Sequence, residues 1–81
     1  MRVELSARAL HDYERLTKKL QTAADKQFNF LLKNLGHPSL RAKKYDEARD
    51  IWQARVDGSY RFYFQIIGDT YYIVSIIKHP K

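Results

Sequence analysis

Apolar residues recur at three- and four-residue steps in the first half of the chain and at alternate positions in the second. The opening Arg2-Val3-Glu4-Leu5 alternates polar and apolar, the pattern of a short strand. Ser6 follows as a helix N-cap, its hydroxyl suited to accept from a free N–H of the first turn. Leu10, Tyr13, Leu16, Leu20, Ala24, Phe28, Leu31 and Leu35 then form one apolar stripe. One unbroken helix over Ala7–Asn34 would run about 42 Å at a rise of about 1.5 Å per residue, too long for a domain of this size to cover. The pattern therefore predicts two helices packed as a hairpin, roughly 7–19 and 22–34. Thr22 caps the second and Asp25 sits in its first turn, where a negative charge is favoured. Gly36 is expected at C′, and Pro38 follows where no helix continues.

After Pro38 the period changes. Lys43-Lys44-Tyr45 reads as a short strand and Asp46–Asp50 as a loop. Ile51–Val56, Tyr60–Ile67 and Thr70–Ile77 are strands rich in β-branched and aromatic residues, joined by the turn signals Asp57-Gly58 and Gly68-Asp69. A strict two-residue loop at Asp57-Gly58 would pair Ala54 with Arg61 and bring arginine onto the face of Trp52. A three-residue loop with Gly58 left-handed is expected instead, pairing Ala54 with Tyr60 and Trp52 with Phe62. Trp52, Ala54, Tyr60, Phe62, Phe64 and Ile66 then share an apolar face, and Gln53, Arg55, Arg61, Tyr63 and Gln65 an open one. The expected architecture is α+β: an N-terminal strand and a two-helix hairpin on one face of a twisted, mostly antiparallel sheet, as a single domain over residues 1–81.

Composition narrows the function. With 81 residues the chain needs a dense core, and 44% hydrophobic residues including 6 Tyr, 4 Phe and 1 Trp supply one. It has no cysteine, which excludes disulfides, thiolate metal sites and a thiol nucleophile, and makes a reducing cytoplasm the simpler location. No apolar run is long enough for a membrane span, and Met1–Leu5 lacks the apolar core of a secretory leader. The formal charge of +6 suits a polyanionic partner, though a small domain also carries net charge for solubility alone. It is evenly spread: residues 1–40 hold seven bases and four acids, residues 41–81 eight and five.

Arginine beside tyrosine on the open face fits nucleic acid, guanidinium to phosphate and ring to base; an ordinary wet sheet face has the same composition. The chain has no zincin, P-loop or nucleophile-elbow motif, and His11, His37 and His79 lack metal-ligand spacing. His79 differs from the other two in closing the last strand. RNA cleavage by a ribose 2′-hydroxyl needs a base, an acid and positive charge on the phosphate. A terminal histidine in a polar tail is, by spacing alone, more often idle.

Val3–Leu10, Leu35–Tyr45, the hairpin Ile51-Trp52-Gln53-Ala54-Arg55-Val56 with Ser59-Tyr60-Arg61-Phe62-Tyr63-Phe64, and the ending Ile77-Lys78-His79 together resemble the RelE/ParE toxin superfamily, nearer its YoeB- and YafQ-like branch. The resemblance covers nearly the whole chain and rests on the order of loose strings. It implies a RelE-like fold and a metal- and cofactor-independent endoribonuclease that cuts mRNA on the ribosome and is held inactive by an antitoxin. It places phosphate stabilisation on Arg61 and general acid–base work on His79, with Lys43, Lys44, Arg55, Tyr63 and Lys78 holding RNA. Trp52 and Ala54 stand where RelE-type members carry lysines. Pro80 stands where an aromatic or acidic residue often follows the histidine. The YoeB-type catalytic glutamate has no clear match, with Glu47 its only candidate. Two other readings stay open: a ParE-type poison of DNA gyrase, and a toxin-like module that binds an antitoxin without catalysis. The ribonuclease reading requires Arg61 and His79 to share one solvent-open, basic pocket.

Overall fold

The computed structural model describes residues 1–80. In chain order they form β1 (Arg2–Leu5), α1 (Ala7–Glu14), α2 (Lys18–Lys33), β2 (Lys43–Asp46), β3 (Ile51–Arg55), β4 (Tyr60–Ile67) and β5 (Thr70–Lys78). The strands make one sheet in the order β1-β5-β4-β3-β2. β1 runs parallel to β5, and the other neighbours are antiparallel. The expected α+β arrangement, an N-terminal strand and two helices against a mostly antiparallel sheet, is the one observed.

The helices break earlier than the stripe suggested. Ser6 caps α1, its Oγ accepting from the Ala9 N–H at 3.0 Å. The second cap is Thr17, not Thr22: Thr17 Oγ1 accepts from the Leu20 N–H at 3.3 Å, while Thr22 donates to the Lys18 carbonyl inside α2. Gln21 helps fix the break, because its Nε2 donates at 3.0 Å to the Tyr13 carbonyl near the end of α1. Such terminal carbonyls have no partner within their own helix. A continuous apolar stripe carries no mark of that side-chain bond. At the other end, Asn34 leaves the helix in extended backbone. The Gly36 N–H then donates to Asn34 Oδ1 at 2.9 Å, so Gly36 is not a left-handed C′ residue.

The core lies between the helices and one face of the sheet. Ala9, Ala24, Phe28, Leu31 and Leu40 meet Ala54, Val56, Phe62, Phe64, Tyr71, Ile73 and Ile76. Phe28 of α2 and Phe62 of β4 pack edge to face with centroids 5.1 Å apart. Full burial of a side chain such as Phe62 or Ile73 contributes about 1.5–3 kcal/mol.

Between β3 and β4 the loop has the expected three residues, Asp57–Ser59; a loop of that length joins Val56 to Tyr60 and so pairs Ala54 with Phe62 and Trp52 with Phe64, two positions from the expected register. Gly58 has no positive φ. The turn is closed by a side chain instead, since Asp57 Oδ1 accepts from the Ser59 and Tyr60 N–H groups, each at 2.8 Å. A shift of two leaves every side chain on its own face, so the predicted segregation survives. At the second hairpin Gly68 supplies the left-handed residue (φ 58°) of a two-residue loop.

β5 carries one bulge. Tyr63 pairs with Ser75 but Phe64 with Ile73, which leaves Val74 without a partner on β4. Before the bulge the odd-numbered residues Tyr71 and Ile73 face the core; beyond it Ile76 does, and Ser75, Ile77 and position 79 fall on the open face. The Ser6 hydroxyl donates at 2.8 Å to the Val74 carbonyl, and the Ser6 N–H to that of Ile73. The cap of α1 thus also secures the bulge.

Candidate functional site

The open face is wet only at its ends. Its middle is closed by Gln53 (6% exposed), Tyr63 (9%) and Ser75 (7%), with Gln53 Nε2 donating to the Tyr63 hydroxyl at 2.9 Å. Beside this patch, at the β3–β4 turn, lies an open cleft of about 230 Å³ lined by Arg41, Lys43, Gln53, Ala54, Arg55, Arg61 and His79.

The sheet places most of the lining side chains. Arg55 and Arg61 are direct cross-strand partners. The Arg55 N–H goes to the Leu40 carbonyl at 2.9 Å, while the Val56 N–H goes to Tyr60 at 3.0 Å. Arg55 and Arg61 therefore form a non-hydrogen-bonded pair, the closer of the two kinds. Lys43 pairs with Gln53 on the neighbouring strand. The His79 N–H donates to the Ser59 carbonyl at 2.7 Å, extending the β4–β5 ladder and holding the imidazole on the Arg61 side.

The cleft is a concentration of positive charge without compensation. Among the described residues no carboxylate lies within ion-pair distance of Arg41, Lys43, Arg55, Arg61 or His79. Arg61 spends Nη1 on the carbonyls of Asp57 (2.8 Å) and Tyr60 (3.0 Å). That anchors the guanidinium and leaves Nε and Nη2, three of its five donors, unspent. Arg55 Nε reaches the same Asp57 carbonyl at 3.4 Å. Like charges directly opposite in a sheet destabilise it, so the arrangement fits a bound anion better than an empty surface.

Four residues singled out in the sequence thus meet here: Arg61, His79, Arg55 and Lys43. Three do not. Lys44 points to the other face, over Trp52, and is held by Asp50 at 2.6 Å and Glu47 at 3.8 Å. The hydrogen bond to Asp50 raises its pKa. Adjacent strand residues alternate faces, so Lys43 and Lys44 could not both line one cleft. Lys78 pairs with Tyr60 and lies beside Asp12 and Arg15 on the helix side. Tyr63 is buried in the patch next to the cleft. Glu47 is 85% exposed on the β2–β3 turn and does not line the cleft. Among the described residues no carboxylate lines it.

Two contributors escaped the sequence reading. Arg41 takes a left-handed backbone (φ 46°), a conformation that costs a non-glycine residue and is often retained at functional sites. Gln27 of α2 is buried and makes three bonds: Nε2 to the carbonyls of Ser39 (3.1 Å) and Arg55 (2.8 Å), and Oε1 from the Ser39 hydroxyl (3.0 Å). It ties α2 to both segments that carry cleft arginines. A glutamine within an apolar helix stripe was the one available signal. Among the described residues no group of three or more His, Cys, Asp or Glu could hold a metal ion, and no helix is long and apolar enough to cross a membrane.

Comparison with known proteins agrees with this architecture. The YoeB/ParE toxin from Agrobacterium tumefaciens superposes with a TM-score of 0.83 at 13% identity, covering 99% of this chain and 100% of that one. The toxin–antitoxin complex RelBE2 from Mycobacterium tuberculosis matches at 0.76 and 21% identity, covering 95% of both chains. The isolated E. coli RelE toxin matches at 0.76 and 18% identity, covering 98% of this chain and 84% of that one. At such identities these likenesses establish the fold alone. No curated protein sequence matches significantly. The model of the ParE toxin of type II toxin–antitoxin systems matches residues 3–81, almost the entire length, and the chain belongs to that family, within the RelE/ParE superfamily.

Proposed function

We propose that this toxin is an endoribonuclease that cuts mRNA on the ribosome, needs no metal or cofactor, and is silenced by an antitoxin. One observation carries the reading: Arg41, Lys43, Arg55 and Arg61 converge with His79 on an open cleft in which none of the described residues supplies a carboxylate. A scissile phosphate in the cleft would accept hydrogen bonds from the free donors of Arg61, which strengthen as charge grows on the phosphoryl oxygens. The 2′-oxygen forms a bond to phosphorus and the P–O5′ bond breaks, giving a 2′,3′-cyclic phosphate and a 5′-hydroxyl. His79 gives a proton to the departing 5′-oxygen. The 2′-hydroxyl proton passes to water, since the described lining residues offer no carboxylate to take it. Imidazole suits the acid's part because its ordinary titration falls near neutrality.

The antitoxin rests on the family and on relatives such as RelBE2, solved as a toxin–antitoxin complex. An acidic, partly disordered segment that folds on binding would neutralise the same cations. Inducing the wild type and Arg61→Ala in a bacterial host tests the proposal: the wild type should arrest growth with fragmented transcripts, and Arg61→Ala should do neither. Arrest with intact transcripts and a DNA-damage response would instead select the gyrase-directed reading, which the ParE family match favours. Harmless wild-type expression with antitoxin binding retained would select a non-catalytic module, favoured by the lack of a carboxylate among the described lining residues.

A further inference from the structure

A second cleft lies on the same open face, across the Gln53–Tyr63 hydrogen bond from the first. Its volume is about 220 Å³, its walls include Tyr45, Tyr63, Ile51 and Ile77, and Arg8 and Arg49 stand at its rim. We propose that it is a nucleobase subsite, in which Tyr45 stacks on the base of single-stranded RNA one nucleotide beyond the two that flank the scissile phosphate. The proposal rests on the reading of the first cleft as an RNA site and extends it by one nucleotide.

Tyr45 lies on the edge strand β2 and is 59% exposed, an unusual position for a large ring in so small a protein. Its ring is nevertheless held: it meets Tyr63 edge to face, with centroids 5.0 Å apart and planes at 67°. Both rings line the cleft. Tyr63 is locked in turn by Gln53, which lines the first cleft. The two sites therefore share a wall, and their geometry is coupled through one hydrogen bond. Arg61 and Tyr63 are two residues apart on β4, about 7 Å at the rise of a strand, which is the scale of one nucleotide step.

Charge follows the same path. Arg8 is largely exposed and only loosely paired, its Nε 3.7 Å from Asp12. Arg49 is fixed by Asp46 at 2.7 Å, and its carbonyl accepts from Gln65, so it forms a rigid rim. Arg8 is thus the cation placed to meet the next phosphate. An aromatic platform beside a phosphate-binding arginine is the usual arrangement for single strands, where stacking tolerates any base.

Fluorescence anisotropy with purified protein and labelled, uncleavable 2′-O-methyl RNA tests this, using a dinucleotide that fills only the first cleft and a tetranucleotide that reaches the second. Tyr45→Ala should weaken the tetranucleotide roughly tenfold, the usual scale for losing one stacked base, and leave the dinucleotide unchanged. Tyr45→Trp should retain tetranucleotide affinity. A tetranucleotide with one abasic position should bind the wild type as weakly as the intact probe binds Tyr45→Ala. Equal tetranucleotide affinity for wild type and Tyr45→Ala, while Arg61→Ala weakens both probes, would overturn the subsite and leave the first cleft standing. If Arg61→Ala weakens neither probe, the RNA reading of the first cleft is itself overturned.

Discussion

Arg55 and Arg61 stand opposite each other on β3 and β4 and share one acceptor, the carbonyl of Asp57. Two guanidinium groups in the closer kind of cross-strand pair repel, at a cost of about 0.2–1 kcal/mol. A bound phosphate would reverse the sign of that interaction. Phosphate or pyrophosphate should therefore raise the melting temperature above that in chloride of equal ionic strength. At a concentration of about 100 Kd the gain is about 2.7 kcal/mol. Arg61→Ala should lose most of this ligand-dependent shift in thermal unfolding. An equal shift in that variant would place the anion elsewhere.

The proposed mechanism gives His79 proton transfer and no part in holding RNA. His79→Gln should then lower the single-turnover cleavage rate by about 10²–10⁴, the range for losing a general acid, while uncleavable RNA binds as to the wild type. A parallel loss of binding and rate would make His79 a contact for RNA and leave the acid unassigned.

How far the sequence foretold this cleft depends on which contacts were local. Alternation within β3 and β4 put Arg55 and Arg61 on the open face, because a two-residue period survives a two-residue error in register. The same period, applied to Lys43-Lys44, already implied that only one lysine could reach the cleft. His79 lies beyond the Val74 bulge, whose position depends on Ser6, sixty-eight residues away. Nothing in the local pattern of β5 encodes that contact. Gln27 was marked only as a polar residue in an apolar stripe, and its role could not be read, because its partners, Ser39 and Arg55, come together only in the folded chain.

The loop between β3 and β4 positions both arginines, and a side chain holds it. Asp57→Ala removes the acceptor for the Ser59 and Tyr60 N–H groups. The expected loss is about 1–2 kcal/mol, given a net of about 0.5–1.5 kcal/mol per hydrogen bond. Cleavage should fall with it, because the Asp57 carbonyl orients both guanidinium groups. Asp57→Asn keeps an oxygen acceptor and should retain most of both properties. Urea denaturation and a cleavage assay on the pair of variants check this; equal damage by Ala and Asn would mean that the carboxylate charge is what matters.

Acid should loosen the β2–β3 turn. The side-chain hydrogen bond from Arg49, followed by that from its backbone N–H, holds the pKa of Asp46 below its ordinary value. A carboxylate depressed in the folded state adds stability above its unfolded pKa and loses it as the pH falls through the folded one. Asp46→Asn should therefore be less stable than the wild type at neutral pH, with the gap closing in acid below the folded pKa of Asp46. The pair is exposed, so the gap is small and shrinks in high salt. Chemical denaturation of both proteins across the acid range measures it, and a gap independent of pH would rule out the ion pair as its source.

Ser6 performs two tasks with one hydroxyl: it accepts from the Ala9 N–H as the cap of α1 and donates to the Val74 carbonyl at the bulge. Three substitutions separate them. Ser6→Ala loses both and should cost about 1–2 kcal/mol, the upper part of the range for a cap. Ser6→Asp keeps a capping oxygen but has no proton to donate, so the Val74 carbonyl loses its partner. Ser6→Asn offers both an acceptor and a donor. Stability in urea should therefore rank Ser above Asn, Asn above Asp and Asp above Ala. Hydrogen exchange at the Ile76 amide, which donates to Asp12 just beyond the bulge, should quicken in Asp and Ala but not in Asn. If exchange quickened only in Ala, the cap alone would account for the stability, and the bulge that turns His79 toward Arg61 would be held by strand pairing without Ser6.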